Sequence, residues 1–194
     1  MSKTIAIGIW EGVEELDFVG PYEVLTAWAS SANGQNVRVR TVAEEAELVR
    51  CAHGLRVLPD ATWTDVGEID VILLPGGHTR PQAADDRVLD RLRKLADNGT
   101  LMTSVCTGAL VLAAAGLLEG RQATTHWGSL DSLRAYDGVE VLPDARFVDT
   151  GPVITAAGVS AGIDMALHLV ARLDSVERAR EVRRYIQYDP QPPV

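Results

Sequence analysis

The chain has 194 residues, 46% apolar and 23% charged, which fits one soluble domain at the usual scale of roughly 100–200 residues and permits a core without disulfide or metal staples. With 18 Lys and Arg against 27 Asp and Glu, the formal charge is −9, which argues against coating a duplex, since that affinity comes from clustered cations neutralising phosphates. The longest apolar or glycine run, residues 108–118, is well short of the roughly 20 residues of a membrane span. Met1 to Thr4 lead directly into Ile5-Ala6-Ile7 without a signal-like segment, so a cytoplasmic protein away from membranes is expected.

Residues 4–10 form a short apolar run of the buried-strand type, and 20–31 read as a helix with Pro21 in its first turn. Residues 37–42 alternate like a half-exposed edge strand, while 47–51 and 55–59 flank His53-Gly54 as a hairpin. Residues 69–74 run apolar into Pro75-Gly76-Gly77, and 84–97 set Val88, Leu89, Leu92, Leu95 and Ala96 on one helical face before Asn98-Gly99 stops it. Strand 100–105 then leads through Cys106-Thr107-Gly108 into an apolar, necessarily buried helix over 109–116. Residues 145–148 and 153–157 make a second hairpin, and Ser160 is placed to cap a helix over 160–173. The last helix, 175–187, presents a solvated face of i,i+3 charge pairs, and 185–194, with Pro190-Gln191-Pro192-Pro193, read as a partly ordered tail. This order predicts a single α/β domain over 1–194, a doubly wound parallel sheet with helices on both faces and small β-hairpin additions.

In such sheets ligands bind beyond the carboxyl ends of the strands, near the topological switch point. Three segments follow strands directly: Trp10 to Pro21, Pro75-Gly76-Gly77, and Cys106-Thr107-Gly108. Topology alone brings them to one rim. Cys106 stands at a strand-to-helix corner, where unpaired N–H groups and positive potential bias a thiol toward thiolate. Gly108 follows at the spacing of a nucleophile elbow; the competing reading is a buried cysteine acting as a small hydrophobe. Gly76-Gly77 suits a backbone that approaches a ligand closely and offers N–H groups to developing negative charge.

Of the acidic residues Glu11, Glu14, Glu15 and Asp17, Asp17 is the candidate proton carrier. Leu16 and Phe18 flank it, favouring burial and a raised carboxyl pKa; the alternative is a helix cap. His168 falls on an apolar helix stripe and is read as core, His53 as surface. His78 and His126 are the two histidines able to approach the thiol. The chain has two cysteines, in different contexts, and no CxxC, HxxxH or HxH spacing, so no metal is assigned.

LDFVGPYEV (16–24), ILLPGG (72–77), SVCTGALVLAAAGLLEGRQATTHW (104–127) and FVDTGPVITAAGVSAGIDMALHLV (147–170) together resemble the ThiJ/PfpI superfamily, in its glutamine amidotransferase-like class and its branch of isocyanide (isonitrile) hydratases. The resemblance implies a flavodoxin-like sandwich, a homodimer, Cys106 as nucleophile and Asp17 as its acidic partner. Thr107 stands where peptidase-like members carry His, which counts against proteolysis. The backbone N–H groups around Gly76, Gly77 and Thr107 would form an anion-stabilising hole. His126 matches the ATTHW element, and His78 departs from the small residue expected after the double glycine.

The implied reaction is cofactor-free hydration of a small isocyanide to an N-substituted formamide: the thiolate adds to the isocyanide carbon and water resolves a thioimidate. The same motifs occur in sensor domains of AraC-like regulators, which need a helix-turn-helix module of roughly 100 further residues. A redox or ligand sensor and a glyoxalase or deglycase acting on small dicarbonyls are the alternatives.

Overall fold

Ile5, Ala6 and Ile7 leave no polar face, so the strand they form requires cover on both sides. The structure, a computed structural model described over residues 3–31 and 37–191, supplies it. Along the chain come β1 (Lys3–Gly8), α1 (Glu15–Ser31), β2 (Val37–Ala43), the short strands β3 (Val49–Arg50), β4 (Arg56–Val57) and β5 (Ala61–Thr62), β6 (Val71–Leu74), α2 (Arg80–Ala83) and α3 (Asp86–Asp97). The second half holds β7 (Leu101–Val105), α4 (Gly108–Ala114), β8 (Arg121–Ala123), a 3-10 turn (Trp127–Ser129), α5 (Leu130–Arg134), β9 (Val139–Val141), β10 (Phe147–Asp149), β11 (Val153–Ala156), α6 (Ala161–Leu173) and α7 (Val176–Tyr185).

Seven strands form the main sheet in the order β10-β11-β7-β6-β1-β2-β5. All its pairs are parallel except β10 with β11. This is the doubly wound, flavodoxin-like arrangement. Strand alternation divides the interior into two layers. Ile5, Ile7, Val71 and Leu73 face a core shared with Phe18 and Leu25 of α1 and with Met165 and Leu169 of α6. Ala6, Ile72, Leu74 and Met102 face a second core with Leu92 of α3 and Leu112 of α4. The first layer closes tightly because α1 and α6 meet at glycines: a Cβ on Gly20 would lie 3.0 Å from Ile163, and one on Gly162 would lie 3.1 Å from Pro21.

Several elements differ from the sequence expectation. Helix α1 begins at Glu15 rather than near residue 20, and Pro21 sits inside it. Glu15 and Asp17 in its first turn suit the positive helix terminus, whereas Gly20-Pro21 mimicked a helix start. β2 is not the edge, because two-residue β5 pairs outside it. Ser160 occupies the N-cap position of α6 without a side-chain capping bond; its hydroxyl instead meets the Arg146 guanidinium. His168 is not a core residue: it is half-buried and paired with Asp149 at 2.7 Å, beside Arg172. The hairpins formed by β3–β4 and β10–β11 occur where expected. Of the expected tail, residues 185–191 are described, with Arg183 holding the Tyr188 carbonyl and the Asp189 carboxylate; residues 192–194 lie outside the described residues.

Candidate active site

β7 delivers Cys106 to the sheet's carboxyl rim in a left-handed backbone conformation, φ 57°, which costs an ordinary side chain of order 1–3 kcal/mol and persists only where surroundings enforce it. They do so from both neighbouring segments. The Cys106 N–H donates to the carbonyls of Ala156 at 3.1 Å and Ala157 at 3.0 Å, and its carbonyl accepts the Thr125 hydroxyl at 2.7 Å. Helix α4 then leaves at once, and the glycine two residues on is obligatory: a Cβ on Gly108 would lie 2.0 Å from the Leu74 carbonyl oxygen.

Asp17, in the first turn of α1, reaches the same point from the other side of the sheet order. It has no exposed surface, and Cys106 retains 6%. The Gly76 N–H donates to Asp17 Oδ2 at 2.7 Å, while Oδ1 has no hydrogen-bond partner. A Cβ on Gly76 would fall 2.7 Å from Asp17 Oδ2 and 2.6 Å from Thr107 Oγ1, so that glycine lets carboxyl, hydroxyl and backbone meet. Burial raises the Asp17 pKa to about 7 against the Gly76 hydrogen bond that lowers it. Asp17 is thus no helix cap.

The expectation of a thiol biased toward thiolate is not met. Burial first, and the Asp17 carboxyl second, push the Cys106 thiol up to about 12, outweighing the Thr107 and Val159 N–H groups that favour the anion. The terminus of a short helix competes here with desolvation and a neighbouring carboxylate, and loses. Cys51 is also pushed up, to about 11, by burial and then by Glu15, Glu11 and Glu14.

The double glycine needs a similar correction. Neither of its N–H groups is an open donor, because Gly76 serves Asp17 and Gly77 donates to Thr107 Oγ1 at 3.1 Å. The N–H groups that approach the thiol belong to Thr107 and Val159. Sequence reasoning missed Val159, at the junction of β11 and α6 with φ 47°. Its signal was available, since Gly158-Val159-Ser160 is another strand-to-helix junction on the same rim.

Neither candidate histidine hydrogen-bonds the thiol among the described residues. His78 is exposed; its N–H binds the Gly12 carbonyl at 2.9 Å, and its ring covers Gly12, where a Cβ would lie 2.4 Å from Nδ1. His126 is half-buried and covers Gly158, where a Cβ would lie 2.3 Å from its Cδ2, so it buttresses the Val159 turn. Its Nδ1 accepts the Gly128 N–H. Glu14, Glu15 and His53 bring possible metal ligands within 4.8 Å of one another. Their mutual contacts account for that grouping: His53 pairs with Glu14, and its N–H donates to Glu15.

A buried acid and thiol thus meet at a glycine-shaped strand-to-helix corner, held from four segments, and residues 3–172 match the DJ-1/PfpI family. The chain belongs to the DJ-1/PfpI family. Isonitrile hydratase from Pseudomonas putida is 39% identical over 100% of this chain and 82% of its own length. The DJ-1/PfpI fold also matches a crystal structure of a ThiJ/PfpI family protein from Pseudomonas syringae, with TM-score 0.88 and 33% identity over 100% of this chain and 78% of that one. The family reaches beyond enzymes: the HTH-type transcriptional regulator CdhR from Pseudomonas aeruginosa is 30% identical over 94% of this chain, which spans 54% of CdhR.

Proposed function

We propose that the protein hydrates a small isocyanide to an N-substituted formamide, using Cys106 as nucleophile and Asp17 as proton carrier. The observation that carries this reading is the Asp17 carboxyl: fully buried, adjoining the thiol, with one oxygen unpartnered and a pKa near 7. A group that titrates there both accepts and returns a proton near neutrality. Asp17 takes the thiol proton as sulfur bonds to the terminal isocyanide carbon, then returns it to that carbon, leaving a thioimidate. Water adds to the same carbon with a proton passing to nitrogen; the C–S bond breaks, the hydroxyl proton returns to sulfur, and the formamide leaves. One water is consumed, and the thiol is regenerated. A thiol with a high pKa is compatible with this sequence because its base is built in. The identity to isonitrile hydratase supports the reading.

The test is incubation with an aryl isocyanide, following formamide by chromatography. Turnover that disappears in Cys106→Ala supports the proposal. Absence of formamide from folded wild-type protein overturns it; methylglyoxal conversion would then favour the dicarbonyl reading. The regulator among the relatives favours a ligand sensor as the second reading, marked by isocyanide binding without turnover. We further propose a cytoplasmic homodimer. Exposed Leu16 and Val19 on α1 adjoin the β3–β4 hairpin, where Leu48, Leu55 and Leu58 are exposed, and Glu15 accepts the N–H groups of His53 and Leu55 across that boundary.

A further inference from the structure

The Gly158-Val159-Ser160 turn brings the Val159 N–H to the thiol, yet its own residues do not favour its shape. Val159 is β-branched and sits at φ 47°, a conformation rare for such a side chain that persists only where the surroundings impose it. Two side chains do so. The His126 ring lies against Gly158, leaving no room for a Cβ. Arg146 holds the turn from both of its ends. Its carbonyl accepts the N–H of Ala157, one residue before the turn, at 2.9 Å. Its guanidinium donates to Asp164 Oδ2 from Nε at 2.9 Å, and its two terminal nitrogens lie 3.5 and 3.4 Å from Ser160 Oγ. We infer that Arg146 is a positioning residue for Cys106: its guanidinium, fixed on Asp164, holds the 158–160 turn so that the Val159 N–H faces the sulfur.

An isolated surface ion pair is worth little and would position nothing. This one is tied on every side. Ser160 stands at the N-cap position of α6 without a side-chain capping bond, so its hydroxyl is available to the guanidinium. Asp164 belongs to the first turn of α6, its side chain is only 27% exposed, and the Tyr188 hydroxyl approaches both it and Arg146. Because Arg146 bonds Ala157 before the turn and Ser160 and Asp164 after it, a shift of the turn breaks one of these contacts.

The consequence reaches the chemistry through the N–H. The Val159 N–H favours the anion of Cys106 and that of Asp17, so it serves the pair whichever of the two carries the negative charge as the proton passes between them. Arg146 acts through the turn, and its substitution leaves the backbone tie to Ala157 in place.

The test is the alkylation rate of Cys106 by iodoacetamide at one alkaline pH, with Cys51 followed in the same digest by mass spectrometry. The direction of the change separates positioning from loosening. Alkylation requires the thiolate, so losing the N–H that favours it should make Cys106 in Arg146→Met slower, by roughly three- to tenfold, as for one hydrogen bond. A turn that merely came loose would uncover a thiol that is buried in the folded protein and make it faster. Cys51 should keep its wild-type rate. Arg146→Lys, which retains the charge without the planar fork, should be slow as well. If Arg146→Met does not fold, Asp164→Asn, which releases the guanidinium, carries the same expectation. Unchanged or faster alkylation of Cys106 in the folded variants overturns the inference. A wild-type rate in Arg146→Lys also overturns it, by assigning the effect to charge alone. The link to turnover rests on the hydration reading: kcat should fall by a similar factor at unchanged KM, and a rise in KM alone would overturn the positioning role by placing Arg146 on the substrate. The alkylation readings stand whether or not an isocyanide is turned over.

Discussion

Asp17 ionises against its surroundings, and that has a sign. Its folded pKa of about 7 exceeds the ordinary 3.8 because burial disfavours the charge. The protonated group therefore contributes stability that is fully present below about pH 4 and is lost as pH rises to 7. Asn keeps the hydrogen-bond geometry and cannot ionise. Between pH 4.5 and 7.5, wild type should lose about 3 kcal/mol relative to Asp17→Asn in chemical denaturation. The same substitution should reduce turnover by roughly 10²–10⁴-fold, and wild-type kcat/KM should rise with pH through about 7 as the carboxylate that takes the thiol proton forms. Full activity in Asp17→Asn removes Asp17 from the mechanism. The burial of Asp17 was legible from Leu16 and Phe18. The state of Cys106 was not, because its nearest charge comes from a residue far away in the chain and desolvation depends on how the layers close.

At the scale of elements, the strand-to-helix corner is the most constrained feature. Gly108 tolerates no Cβ because the Leu74 carbonyl oxygen would lie 2.0 Å away, and a backbone atom cannot rotate aside. Gly108→Ala is expected to cost about 2 kcal/mol or more and to displace Cys106 from Asp17, abolishing turnover. Gly8→Ala, which meets only ordinary contacts at 3.4–3.5 Å, should change stability by less than about 1 kcal/mol. Thermal melts and rates of both variants check the contrast. The long apolar strands and the amphipathic α3 were readable from periodicity. The start of α1 was not, since helix propensity around Gly20-Pro21 is overridden by packing on α6. Two-residue β5 and four-residue α2 are too short for any period to show. The rim itself followed from topology, whereas the assignment of its N–H donors required knowing which were already occupied.

For the whole molecule, the exposed aliphatic side chains on α1 and the β3–β4 hairpin make one face apolar beside the site. Light scattering at micromolar concentration should report a dimer, and Leu48→Glu, at a side chain that is 63% exposed, should yield a folded monomer. A wild-type monomer overturns the proposed association. The sheet order carries a further consequence, for the time before the fold exists. Asp17, Gly76, Cys106 and Val159 lie on four separate segments, and β7 is flanked in the sheet by β6 and β11. During synthesis the last of these emerges long after the cysteine. Until it pairs, the thiol lacks the cover of β11 and the Val159 turn, and its N–H lacks the Ala156 and Ala157 carbonyls, so the nascent chain presents a more accessible Cys106. Parallel sheets close slowly because their contacts are distant in sequence. Cys106 is therefore expected to be alkylated faster in the newly made chain than in the folded protein, where it is buried, a contrast that pulsed alkylation during refolding measures.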